Sequence, residues 1–485
     1  MRFKNLKNLI ILLLFALAAC VPIKSQQDSE SITPSSQPYP AYPSSTSNPT
    51  LVQPSVTALS IETTMQETSV PSQSQSRTPL PDDQMSQNME ITQLQMFDAQ
   101  NGWAVYSTSF VRPENSKILH TTAGIQTWND VTPPISENSS TVRTVFFIDA
   151  NTAVVISSRS SLPDSPAVDI FSWRTTNGGE TWQSGEPFHI DQASEFYPAQ
   201  LIFLGLEHGW LLGESNSGMQ NMRVLLFETQ DEAMHWELVY DSVDHLSDPD
   251  TLWIRGYYPF STHFTFTSAT TAFFSNGRLF GSQDGGRSWV FRSLEPPNDF
   301  PDLDCQGGDC KYLDIVSEPM FTSAQDGVLI RRVYSNTDVV MDVLVYYPNT
   351  LNRLPLPTAQ YLYFTHDGGQ TWVPSPSPLR MGTVHFRNPQ TGWLIGKNDA
   401  DPTTATRLYQ TDDGGATWTQ ISSDCPLPLG SELQFFDEQT GFAFYPSPVS
   451  DYYKDFDSRV NQTSGLFSTL DGGRSWGKVQ PQITP

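Results

Sequence analysis

Basic side chains are scarce in this chain of 485 residues: 27 Lys and Arg stand against 52 Asp and Glu, a formal net charge of -25. Phosphate backbones demand a basic face, so a nucleic-acid partner is excluded. Charge of any sign is sparse at 16%, while aromatics reach 12% and the chain holds 30 Gly and 37 Pro. That balance fits a turn-rich β-protein better than a helical one. Apart from the N-terminus there is no long apolar run. There is no G-x-S-x-G nucleophile elbow, and Cys425 in "SSDCPLPLG" has no local histidine partner. Glycine pairs occur between strand-like segments rather than before a helix, so no phosphate-cradling loop is expected. Nothing in the pattern calls for a cofactor or a metal ion.

The first twenty residues, "MRFKNLKNLIILLLFALAAC", place Arg2, Lys4 and Lys7 before a short apolar run and Leu17-Ala18-Ala19-Cys20. The run is too short to cross a hydrocarbon core of about 30 Å comfortably. Small residues before a cysteine resemble the bacterial lipoprotein signal. Residues 1–19 are then expected to be removed and Cys20 acylated, leaving the protein lipid-anchored on the extracytoplasmic side of a membrane in the cell envelope. An ordinary secretory signal is the alternative. Residues 20–90 are dominated by Ser, Thr, Pro and Gln, as in "SITPSSQPYPAYPSSTSNPT". Such a segment buries too little apolar surface to offset its ordering entropy and reads as a disordered tether. Its root-mean-square reach is roughly 45 Å.

From residue 91 to 485 two motifs alternate. "TTNGGETW" (175–182), "SQDGGRSW" (282–289), "THDGGQTW" (365–372), "TDDGGATW" (411–418) and "TLDGGRSW" (469–476) share one template. "TTAGIQTW" (121–128) and "TQDEAMHW" (229–236) are decayed copies, which brings the total to seven. The second motif has an apolar residue, a turn-former two positions on, a small residue six positions on and then an apolar residue. "MFDAQNGW" (96–103), "FIDANTAV" (147–154), "FLGLEHGW" (203–210), "FTSATTAF" (266–273), "FTSAQDGV" (321–328), "FRNPQTGW" (386–393) and "FFDEQTGF" (435–442) obey it. Glycines, hydroxyls and acids at these offsets make hairpin turns, and the flanks alternate as strands do. Each unit is strand, turn, strand, loop, strand, turn, strand. Such a sheet cannot bury both faces alone, whereas seven arranged radially can. The fold class expected is all-β, a seven-bladed β-propeller of four-stranded antiparallel blades over residues 91–485. An open solenoid is the alternative.

The first motif resembles the Asp-box, or BNR repeat, of sialidases, sortilin-type receptors and xyloglucanases. Its alternation with the second is similar to the propeller family that includes the photosystem II stability and assembly factor. In the sialidases these boxes are structural. That resemblance therefore implies turn roles for Asn177, Asp231, Asp284, Asp367, Asp413 and Asp471, and packing roles for Trp128, Trp182, Trp236, Trp289, Trp372, Trp418 and Trp476. Recurrence in successive blades also spreads the acids around a ring, where no two form a catalytic pair. A sialidase site further requires an arginine triad and an early Arg-Ile-Pro string. The string is missing, and Arg387 in "FRNP" belongs to a turn motif.

Both motifs are turns at one end of the blades, so the other loops must emerge at the opposite end. The long insertions, about 240–262, 293–317, 334–360 and 446–465, fall there. They supply the candidate binding residues Trp253, Tyr257, Tyr258, Asp302, Asp304, Tyr346, Tyr452 and Tyr453. Function on a rigid scaffold commonly sits on such loops, although these tyrosines could equally pack their own loops. "DCQGGDC" suggests a small loop closed by a Cys305–Cys310 disulfide, or two free thiols; without histidines or a second cysteine pair it is a weak zinc signal. The expected function is a scaffold holding a protein partner on the long-loop face. The alternative is a glycan-binding or glycoside-hydrolysing propeller using aromatics and a carboxylate pair on that face.

Overall fold

The chain divides into two units, Met1–Leu80 and Pro81–Pro485. The computed structural model describes residues 90–484 except 108–115, 136–139, 160–167, 191–195, 219–220, 246–262, 276, 304, 307–308, 336–354, 400–403 and 446–464. The described residues form seven antiparallel blades: blade 1 (90–130), blade 2 (140–190), blade 3 (196–241), blade 4 (263–291), blade 5 (313–376), blade 6 (381–425) and blade 7 (432–479). Within each blade, strands pair in chain order. In blade 3 these are Phe196–Leu204, His208–Gly218, Asn221–Thr229 and Glu237–Asp241.

Three blades depart from the expected four strands. Blade 1 gains a fifth, because the C-terminal strand Gln482–Thr484 runs parallel beside Thr127–Asp130. Blade 2 breaks its outer strand into Gln183–Ser184 and Phe188–Ile190 around Gly185 and Pro187, both segments pairing with Val168–Thr175. Blade 5 breaks its inner strand into Leu313–Val316 and Met320–Phe321 around Pro319, which has no N–H to give the ladder. A short hairpin, Cys305–Gln306 with Asp309–Cys310, occupies the connection between blades 4 and 5.

Each sheet buries both faces, so its second strand is largely apolar, and Ala272–Ser275 and Gly441–Tyr445 are buried at every position. The apolar residues collect into seven clusters, one at each seam between blades. Trp210, Leu212 and Leu226 of blade 3 meet Phe264, Phe274 and Phe280 of blade 4. Phe442, Phe444 and Leu466 of blade 7 meet Ile91, Met96 and Leu119 of blade 1, which closes the ring. At about 25 cal/mol per Å² of apolar surface removed from water, these seams are the main stabilising feature of the fold.

The second motif explains how the seams stay in register. Its first residue lies opposite its small residue across the hairpin in all seven blades, as in Met96↔Gly102, Phe203↔Gly209 and Phe435↔Gly441. The ring of Phe203 fills the space where a side chain on Gly209 would go. The residue after the small one then stacks on the next blade's first residue: Trp210 on Phe266 and Trp393 on Phe435, each with ring centroids 3.8 Å apart. Polar clasps add to this around the axis. Gln200 donates to Phe264 O (3.0 Å) and accepts from Phe264 N (2.7 Å), and Gln434 donates to Met96 O (2.5 Å) and accepts from Met96 N (3.0 Å).

Candidate functional site

The acid of the first motif is consumed by its own turn. In blade 5 the buried Thr365 hydroxyl donates to Asp367 Oδ1 at 2.8 Å and accepts from Gly369 N at 2.8 Å. Asp367 then accepts from Thr371 N at 2.9 Å and from the Thr371 hydroxyl at 2.6 Å. The same network recurs around Asp284, Asp413 and Asp471. Asn177 substitutes with its amide oxygen, accepting from Thr175 Oγ1 at 2.9 Å and Thr181 N at 3.0 Å. Asp231 binds Thr229, His235 N and the His235 ring. These bonds shift the acids strongly. The Thr417 hydroxyl and N–H bring Asp413 to a pKa of about 2, and Ser475 does the same for Asp471, to about 2. Burial pushes Asp367 up, but Thr371 and Thr365 outweigh it and hold the pKa at about 2. An acid so depressed is a fixed acceptor, not a proton carrier near neutral pH.

The two motifs are zipped together. The N–H of the first glycine, or of the residue in its place, donates to a carbonyl of the first-to-second strand turn in every blade: Gly124 to Gln100, Gly178 to Asn151, Glu232 to Glu207, Gly285 to Thr270, Gly368 to Gln325, Gly414 to Gln390 and Gly472 to Gln439, at 2.8 to 3.1 Å. One end of the propeller is thus finished by seven bonded pairs of short turns. The tryptophans of the first motif pack beneath them. Trp128, Trp289 and Trp372 are buried, whereas Trp182, Trp236, Trp418 and Trp476 are half-buried.

All other connections leave from the opposite end. Asp302 is exposed there, in the segment joining blades 4 and 5. That segment is lashed to blade 5 by side chains that sequence patterning did not single out. Tyr363 donates to Glu295 O at 2.9 Å and Tyr361 to Asp299 O at 3.2 Å, while Arg331 lies 4.1 Å from the Phe300 ring centroid and donates to Asp314 at 2.6 and 2.9 Å. Their only signal is the aromatic alternation of "YLYF", which reads as strand. Trp253, Tyr257, Tyr258, Asp304, Tyr346, Tyr452 and Tyr453 lie outside the described residues, as does Cys20. Cys305 and Cys310 stand directly opposite each other across the short hairpin. Cys425 is a buried thiol that burial pushes above the usual range.

Two titratable groups sit on the inner strands of blades 6 and 7. His385 is driven down to about 4 by burial. Glu432 begins its strand at the long-loop end; water reaches it, but protein walls it in and pushes its carboxyl up. No group of His, Cys, Asp and Glu among the described residues is placed to hold a metal ion. Arg387 is a turn residue, its N–H donating to Thr391 O at 3.0 Å.

No family model and no curated protein matches the chain. Solved structures of similar architecture include "YCF48 bound to D1 peptide", 17% identical with a TM-score of 0.41, covering 74% of this chain and 90% of that one. YCF48 from Cyanidioschyzon merolae is 16% identical with a TM-score of 0.40, covering 75% and 94%. An alpha-L-arabinanase of Penicillium chrysogenum complexed with arabinobiose is 13% identical with a TM-score of 0.37, covering 70% and 96%. A peptide-binding protein and a glycan-processing enzyme thus stand side by side among the neighbours.

Proposed function

We propose that the protein is an extracytoplasmic binding scaffold, held to a membrane by a lipid on Cys20 and a tether over residues 20–90, that grips a protein partner with its long-loop face. The observation carrying this reading is the asymmetry of the two ends. One end is spent on seven bonded turn pairs, and every long connection leaves from the other. The clamp of Arg331, Tyr361 and Tyr363 gives that face a rigid floor, which lowers the ordering cost of binding. A photo-crosslinking residue at Asp302, compared with one at Gln370 on the turn end, tests it in cells. Discrete adducts from position 302 alone are expected, and equal labelling from both would overturn the reading. For the anchor, Cys20→Ala should move the protein out of the membrane fraction.

Glu432 favours a second reading, glycoside hydrolysis at the same end. Glu432 is an exposed carboxylate on the first strand of blade 7 at the long-loop end, where an acid facing a second carboxylate would act. Release of reducing sugar from a glycan panel, abolished by Glu432→Gln, would establish it in place of the scaffold.

A further inference from the structure

In four blades the residue just before the turn hydroxyl points at the next blade. His120 reaches Ala150 O at 2.8 Å, Arg174 donates to Leu206 O at 2.5 Å, Glu228 pairs with Arg287 at 2.6 Å, and Phe364 meets Phe386 edge-on with ring centroids 5.8 Å apart. Blade 4 has Gly281 at this position. A cavity of about 410 Å³ opens on the turn end of the seam between blades 4 and 5. That size lies within the usual range for small-molecule sites.

Its lining is not apolar. Gln283 of blade 4 and Gln325 and Gln370 of blade 5 contribute exposed amides, and Phe273 forms the floor. Arg292 crosses the strand to lie over Gly281, so near that a Cβ there would be 2.6 Å from its Nε. That Nε is closed off from water and has no hydrogen-bond partner among the described residues. A shielded guanidinium donor left unpaired is costly, and its planar fork fits a carboxylate. Asp367, on the facing wall, is already committed to Thr365 and Thr371.

We propose that this seam is a binding site for a small hydroxylated carboxylate, its carboxylate on Arg292 and its hydroxyls on the three glutamine amides. The cavity and the unpaired arginine are separate observations, and Arg292 lines the cavity. The site lies at the end opposite the long-loop face, so its failure would leave the scaffold reading untouched.

The test is titration of the full chain with D-glucuronate and D-galacturonate against D-glucose and D-galactose, followed by calorimetry and by tryptophan fluorescence, since Trp372 packs on Phe273. At least one uronate should bind about tenfold or more tighter than its neutral hexose, the value of one charge-assisted hydrogen bond. Arg292→Met should remove that preference. Gly281→Phe, at a position free of left-handed backbone, should displace the Arg292 side chain and abolish binding, with a lower melting temperature because a Cβ there would lie 2.6 Å from Nε. Equal binding of uronate and hexose, no saturable binding of either uronate at millimolar concentration, or unchanged uronate affinity in both variants would overturn the proposal.

Discussion

Blades 3 and 5 build the same turn from different residues. Blade 5 uses Gly368 and Gly369 at φ of +71° and +81°; blade 3 places Glu232 and Ala233 at +67° and +68°. Left-handed backbone costs a non-glycine residue about 1 to 2 kcal/mol, yet blade 3 keeps the conformation. What the two share is the buried hydroxyl: Thr229 accepts from Ala233 N at 3.1 Å, as Thr365 does from Gly369 N at 2.8 Å. What separates them is the neighbour. Ala233 lies against Ser172 of blade 2, whose hydroxyl donates to its carbonyl at 2.6 Å, whereas Gly369 lies against the Phe273 ring of blade 4. The turn is specified by the hydroxyl and by the seam, and glycine is required only where the seam has no room.

The largest effect should come from removing that room. Gly369→Ala sets a methyl into the Phe273 ring and imposes left-handed strain, so a loss of about 2 to 4 kcal/mol is expected in urea unfolding. Ala233→Gly should change stability by less than about 1 kcal/mol. If Gly369→Ala were equally mild, the seam would be more yielding than its packing implies, and the contrast between the blades would collapse.

Removing the shared element comes next. Thr365→Val keeps the shape but strands the buried Gly369 N–H, at a cost of about 1 to 3 kcal/mol. Thr121→Val should cost a similar amount, because in glycine-poor blade 1 the hydroxyl still accepts from Ala123 N at 3.1 Å and donates to Gly124 O at 2.8 Å. Asp367→Ala should cost less than either, since its bonds lie at the surface. An acid-to-alanine change that outweighed the hydroxyl would reverse the ranking.

The blades were legible in the sequence because the repeat writes the same offsets seven times; even the pairing of Met96 with Gly102 follows from the second motif's spacing. The exceptions follow local chemistry. Pro319 and Pro187 break strands that periodicity alone would run straight through. The parallel closing strand was not legible, for "QIT" is too short to show alternation, and only Gln482 N donating to Gln126 O at 2.7 Å and Thr484 donating to Trp128 O at 3.0 Å reveal its place. The cavity in the seam between blades 4 and 5 was equally hidden. A single glycine in "RLFGSQDGG" reads as part of a turn, and that Arg292 lies over Gly281 appears only in the assembled blade.

A gain in stability should follow from relieving blade 3. Glu232→Gly removes one left-handed side chain at the price of the Arg174 contact at 3.2 Å, whose acid is 48% exposed. Exposed pairs contribute about 0 to 1 kcal/mol, so the net expectation is a stabilisation of about 0.5 to 1 kcal/mol, seen as a higher urea midpoint. A loss would mean that Arg174 depends on Glu232 more than on Leu206.

The smallest effect is a dependence on pH, and it separates the acid-bearing turns from blades 1 and 2. Asp367, Asp413 and Asp471 lie at about 2 in the fold against an ordinary 3.8. A depressed carboxyl stabilises fully above its unfolded value, and that contribution is lost as pH falls through 3.8 toward 2. Ala123 and Asn177 contribute no such slope. Asn177 also shows how to remove it without damage, because its amide oxygen takes both turn bonds and its Nδ2 donates to the Thr181 hydroxyl at 2.9 Å. The triple change Asp367→Asn, Asp413→Asn and Asp471→Asn should therefore leave the melting temperature near its parent value at neutral pH and flatten its fall between pH 4 and 2. An unaltered slope would assign acid sensitivity to other carboxylates, such as Glu228, whose carboxyl burial raises but His208 and Arg287 hold below the usual range, and leave the turns of all seven blades held by their hydroxyls alone.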